Sequence, residues 1–176
     1  MEENVPDLMV RWRDFYELVG TAAVILMGLV FVTAAIAAGF LAEESRALMR
    51  SFLTPTVAHF VATLVVCILV SVPTLTWPRL GAVLLAAGVL GLLYAISVWR
   101  SMSRSARHWA ALDDRLWYAL APIVCFILLS AAGILLLVHR LAGTELLAGT
   151  LVLLLLLGIR NAWDIIVWIV LRAPTK

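Results

Sequence analysis

The chain has 176 residues, of which 64% are hydrophobic and 14% charged, with a formal net charge of +2. A soluble domain carries about 25% charged residues, so these charges are too few to cover a water-facing surface, and most of the surface must face lipid. The near-neutral balance excludes a broad basic face for nucleic acid. A mean hydropathy of +1.07 leaves room for one membrane domain, 1–176, and no second soluble one.

A membrane-crossing helix needs about 20 predominantly apolar residues. In chain order, such runs cover 18–41, 56–75, 80–99, 116–138 and 146–171. They predict an all-α, polytopic membrane helical bundle of about five transmembrane helices. The first run is too long for the apolar core of a cleaved signal peptide. It also follows an acidic segment, with Glu2, Glu3, Asp7, Asp14 and Glu17 against Arg11 and Arg13. It therefore reads as a span.

Thr76-Trp77-Pro78-Arg79 suggests a tight hairpin between the second and third runs. Residues 42–52 and 100–115 read as longer connections. Glu43 and Arg46, spaced i, i+3, suit a short surface helix in the first of these. Asp113 or Asp114 suits the N-cap of the fourth span. Leu53-x-Pro55-x-Val57 and Leu120-x-Pro122-x-Val124 open the second and fourth runs alike. Proline near a first helical turn is common, however, and an internal repeat need not be invoked.

Basic residues set orientation. Arg46, Arg50, Arg100, Arg104, Arg107, Arg115, Arg172 and Lys176 fall on one side of a five-span chain, against Arg11, Arg13, Arg79 and Arg140 on the other. The bias puts the N-terminus outside and the C-terminus in the cytoplasm. Trp12, Trp77, Trp99, Trp109 and Trp117 lie at run edges, as an aromatic belt requires. Arg100, Arg104 and Arg107 read as contacts to anionic lipid headgroups. The expected location is the cell membrane, which is the inner membrane for a bacterial protein.

Two pairs of small residues, Ala35 with Gly39 and Ala87 with Gly91, are spaced to let helix backbones approach closely. Cys67 and Cys125 lie inside apolar runs without metal or redox spacing, and read as small buried side chains. No metal or other cofactor is expected.

The last run is interrupted by Arg160-Asn161-Ala162-Trp163-Asp164. A helix ending near Ile159 would leave residues 165–171 on the interface, yet that segment is apolar at every position and has no polar face. A continuous helix from Glu145 to Arg172 is the better expectation. It places Arg160 about 18 Å and Asp164 about 12 Å in from Arg172 at the α-helical rise. Ionised groups at that depth must face protein or water. Arg160 and Asp164, at i, i+4, can pair. The topology brings His59 and Tyr94 towards Arg160, Asn161 and Asp164, forming a polar layer in the cytoplasmic half.

That layer has two readings. It is a polar pocket or constriction, or it is a structural clamp in which Arg160 and Asp164 neutralise each other. His59 and Tyr94 individually read more simply as packing residues. The first functional expectation is a homo-oligomeric channel or small transporter. The alternative is a membrane-embedded assembly or partner subunit. An intramembrane enzyme comes third, because no paired carboxylates, His-rich metal set or nucleophile with its base has readable spacing; no enzymatic activity is expected.

Overall fold

The structure is a computed structural model, which describes residues 5–39, 43–104 and 116–172. Every regular element among them is helical. The order is α1 (Val5–Ala38), α2 (Glu43–Ser71), α3 (Trp77–Arg104), one π-helical turn (Leu116–Leu120), α4 (Ala121–Leu137) and α5 (Ala142–Arg172). Among the described residues four stretches are long and apolar enough to cross a membrane: Trp12–Ala38, Leu53–Ser71, Trp77–Arg100 and Ala142–Leu171. The fourth apolar run differs. Its regular α-helix, Ala121–Leu137, is a shorter element of 17 residues, and the π turn leads into it without a break.

Several boundaries depart from the apolar runs. The charged segment 43–52 forms no separate helix but begins the 29-residue α2, with Pro55 inside it. Charges mark where apolar character stops, not where helical hydrogen bonding stops. The turn between α2 and α3 covers 72–76 rather than 76–79. Pro78 falls in the first turn of α3, where a missing N–H leaves no helical bond unmade. The expected cap at Asp113 or Asp114 lies outside the described residues.

Contacts fix the register. Gly20 of α1 lies against Cys67 of α2, and near the other end Thr33 and Ala34 share a cleft with Leu53. Phe60 of α2 covers Gly158 of α5, while Val70 and Leu147 line one cleft and Leu53 and Ile165 another. Gly81, Gly88 and Gly91 of α3 face Gly133, Ser130 and Phe126 of α4 in turn. Gly143 of α5 lies on Leu136 of α4, and Asn161 on Tyr118. Each of these pairs is antiparallel. One end of the bundle therefore gathers the last turns of α1, α3 and α5 with the starts of α2 and α4.

The helices form two hairpin-like pairs, α1 with α2 and α3 with α4. α2 and α3 barely touch, and α5 packs against α1, α2 and α4. Its inward stripe Leu147, Leu151, Leu154, Leu157 meets Leu84 of α3, Leu129 and Leu136 of α4 and Val66 of α2 in one cluster. A second, smaller cluster joins Ala37 to Ile165 and Ile169 at the far end.

The α3–α4 seam is the closest crossing. Besides Leu80, the buried residues of α3 are Gly81, Leu84, Gly88 and Ala95, at heptad spacing. Gly91 completes it, whereas Ala87 is half-buried beside it. The other small pair behaves differently. Ala35 is exposed, and a Cβ on Gly39 would meet only the Ile36 carbonyl of its own helix. Among the described residues, Ala35 and Gly39 thus hold no second helix. α1 turns Ala23, Val30 and Ala37 inward instead.

α4 ends in a tight reversal. The His139 N–H donates to the Leu136 carbonyl at 3.1 Å, and the Arg140 N–H to the Leu135 carbonyl at 2.8 Å. These two bonds define a Schellman cap whose left-handed residue is normally glycine. Here it is His139, at φ 56°.

Candidate functional site

Hydroxyls buried in lipid or protein need partners, because hydrocarbon offers none. Most find one in their own helix, four residues back. Thr33 donates to Leu29, Thr63 to His59, Ser71 to Cys67, Ser130 to Phe126 and Thr150 to Leu146, all at 2.9 ± 0.2 Å. These residues are polar in sequence but internally satisfied, and they mark no site.

The polar groups of α5 behave differently. α5 is continuous through Arg160–Asp164. Arg160 Nη1 lies 3.3 Å from Asp164 Oδ2, and the guanidinium stands 4.5 Å over the Trp117 ring. Both charged side chains retain over a third of their exposure, 39% and 37%. Asn161, one residue on, is fully buried. Its backbone carbonyl accepts from the Tyr118 hydroxyl at 3.2 Å. A carbonyl has two lone pairs, so the helical bond at this position need not be given up.

The buried stripes of three helices turn polar at this end. On α5, Leu147, Leu151, Leu154 and Leu157 lead to Asn161. On α4, Leu136, Leu129, Cys125 and Pro122 lead to Tyr118. On α2, Val66 and Thr63 lead to His59 and Thr56. His59 is 1% exposed, and its ring lies 6.5 Å from that of Phe126. Among the described residues, the buried side-chain nitrogen and oxygen atoms without a partner are His59 Nδ1 and both amide atoms of Asn161. Leaving such a group unsatisfied costs about 1–3 kcal/mol, so three of them in one layer set this end of the core apart.

The structure therefore brings Arg160, Asn161 and Asp164 together on α5, with His59 in the adjoining core. Tyr94 is placed apart. It is half-buried on α3, whose main neighbour is α4 rather than α5. The α3–α4 register carries Trp99, not Tyr94, to the level of Tyr118 and Asn161. Arg100 is exposed near the end of α3, the side chain of Arg104 falls outside the described set, and Arg107 lies outside the described residues.

Sequence reasoning missed Trp117, Tyr118 and Thr56 as members of the site. Tyr118 and Thr56 were within reach, since each falls on the 3–4 spaced buried stripe of its own helix. The Trp117–Arg160 contact joins residues far apart in the chain, and no local pattern announces it. Among the described residues no group of three or more His, Cys, Asp or Glu is placed to hold a metal. Comparisons with protein-family models, curated proteins and solved structures find no match for this chain.

Proposed function

We propose that this protein is a five-span membrane protein acting as a membrane-embedded assembly subunit, with the polar cluster of α5 as a structural clamp rather than a catalytic centre. The observation that carries this reading is that Arg160 is engaged within its own chain, paired to Asp164 and stacked on Trp117. A path through the single chain would have to follow the buried face of α5, which Leu147, Leu151, Leu154 and Leu157 fill.

The π turn and α4 together supply the fifth crossing. Residues 116–137 run beside residues 142–163 of α5 in antiparallel register, and α5 is long enough to span. The arginine bias puts the N-terminus outside and the C-terminus in the cytoplasm. Residues 80–99 of α3 measure about 30 Å at the α-helical rise, one hydrocarbon thickness. Trp77 and Trp99 stand at its two ends, and Trp99 is level with Asn161. On the α3–α4 side, Arg160 thus sits at the cytoplasmic boundary rather than deep in lipid, where a charge is tolerated most easily.

The partner is a second copy of this chain or another membrane protein. Cross-linking within native membranes, followed by mild solubilisation, tests this. A stoichiometric complex is the expected result, and a lone monomer overturns it. Single cysteines at Arg140 and Ser101, in a chain lacking Cys67 and Cys125, test orientation. An impermeant maleimide reaches position 140 from outside and position 101 only after permeabilisation.

A homo-oligomeric channel or small transporter is the second reading, and the unpartnered atoms of His59 and Asn161 favour it. Flux that falls on Asp164→Asn or Arg160→Gln, with folding intact, would support a path between copies. Flux unchanged in both variants would remove that pair from any path.

A further inference from the structure

Among the described residues, the polar end of the core is short of hydrogen-bond partners and offers no counter-charge. We propose that it is a binding site for one neutral hydrogen-bonding molecule the size of water, held between His59 Nδ1 on α2 and the Asn161 carboxamide on α5. The resident ligand is water itself. Nothing in the clamp requires this site, and it stands whichever functional reading holds.

The placement follows from register. Phe60 covers Gly158, and Leu53 and Ile165 line one cleft, so Thr56 of α2 is level with Asn161 of α5. His59 lies about 4.5 Å further along its axis at the α-helical rise. Helical side chains lean towards the N-terminus of their own helix. Because α2 and α5 are antiparallel, His59 leans towards the level of Asn161 and Asn161 towards that of His59. The His59 ring lies 6.5 Å from that of Phe126, and the backbone carbonyl of Asn161 takes the Tyr118 hydroxyl.

The chemistry selects a neutral occupant. Asn161 offers two N–H donors and one carbonyl acceptor, and His59 Nδ1 is a donor or an acceptor according to tautomer. A water molecule matches either state, because it both donates and accepts. A bare cation finds no counter-charge among the described residues. Thr56, His59, Tyr118 and Asn161 carry no negative charge at neutral pH, and Asp164 is held by Arg160. Both anchors are almost fully enclosed, 1% exposed for His59 and 0% for Asn161, so the molecule is internal rather than part of the surface hydration layer.

Two measurements on the full chain in lipid bilayers test this. Water-edited proton NMR should show direct magnetisation transfer from bound water to the Asn161 side-chain amide and the His59 ring. Its absence overturns the proposal. The second is the sign of single substitutions on the unfolding equilibrium. A bridged pair makes Asn161→Leu and His59→Phe each destabilising, by about 5- to 150-fold. The double variant then loses less than the two singles combined, because no polar group is left stranded. Atoms that are truly bare would give the opposite sign, since removing either relieves an unsatisfied group. A neutral or stabilising single variant therefore sinks the site. If a variant does not fold, the spectra of the unaltered protein still decide.

Discussion

Gly133→Ala is the sharpest test of the α3–α4 seam. A Cβ at Gly133 would stand 2.6 Å from the Leu85 nitrogen and 2.8 Å from the Gly81 carbonyl oxygen. The obstacles are backbone atoms, which cannot rotate aside. Ordinary Cβ contacts begin at 3.4 Å, so α3 and α4 must part by about 0.8 Å. A gap of about 0.5–1 Å forfeits a quarter to a half of each dispersion well along the seam. Leu84, Leu129 and Leu136 lie in that seam, and lipid tails compensate only partly for what they lose. Overpacking of this kind costs about 1–3 kcal/mol, or about 5- to 150-fold in the unfolding equilibrium. The assay is reversible unfolding in mixed micelles by titrated SDS, followed by tryptophan fluorescence. Gly149→Ala is the control: it is exposed on α5 with nothing within 4 Å, and it should gain up to about 1 kcal/mol of helix propensity. A Gly133→Ala protein as stable as the wild type, or an equal loss in both variants, would refute the close crossing.

Three further outcomes follow from the same geometry. Gly158→Ala should destabilise, because its Cβ would fall 2.6 Å from the ring of Phe60, which is fully buried and has nowhere to swing. Adding Phe60→Leu should recover part of that loss in the same unfolding assay. His139→Gly should stabilise by about 1 kcal/mol, since it removes a left-handed residue with a Cβ from the Schellman cap; a loss would mean that the His139 side chain holds the cap. A double-mutant cycle of Arg160→Gln with Asp164→Asn should give a coupling of only about 0.5 kcal/mol, because both side chains are more than a third exposed. A coupling above about 2 kcal/mol would place the pair out of water altogether.

The sequence carries the helices and their approximate count because lipid imposes one requirement on a whole run at once: about 20 apolar residues with every backbone group satisfied. It also carries the Arg160–Asp164 pairing, since helical geometry alone sets an i, i+4 approach. It does not carry the register between helices. Trp117 meets Arg160 only because α4 and α5 pass at one particular offset. The small residues show the same division. Four-residue spacing singles out Ala35 with Gly39 and Ala87 with Gly91, whereas the crossing is made by Gly81, Gly88 and Gly91 against Gly133, Ser130 and Phe126. Composition marks small residues equally on every face, and only the partner helix decides which face is used. The helical run through Glu43, Arg46 and Arg50 into α2 was hidden for a related reason. Hydropathy reports where apolar side chains stop, and a helix can continue beyond that point.

The position of α5 bears on how such a chain is made. It is made after the other four described helices, yet it is the one that touches both the α1–α2 and the α3–α4 pairs. Until it inserts, the two pairs have almost nothing to hold them together. Assembly of the core is therefore deferred until α5 has been made. A nascent chain stalled before Ala142 would present two independent hairpins to the quality-control machinery, not a partly finished bundle.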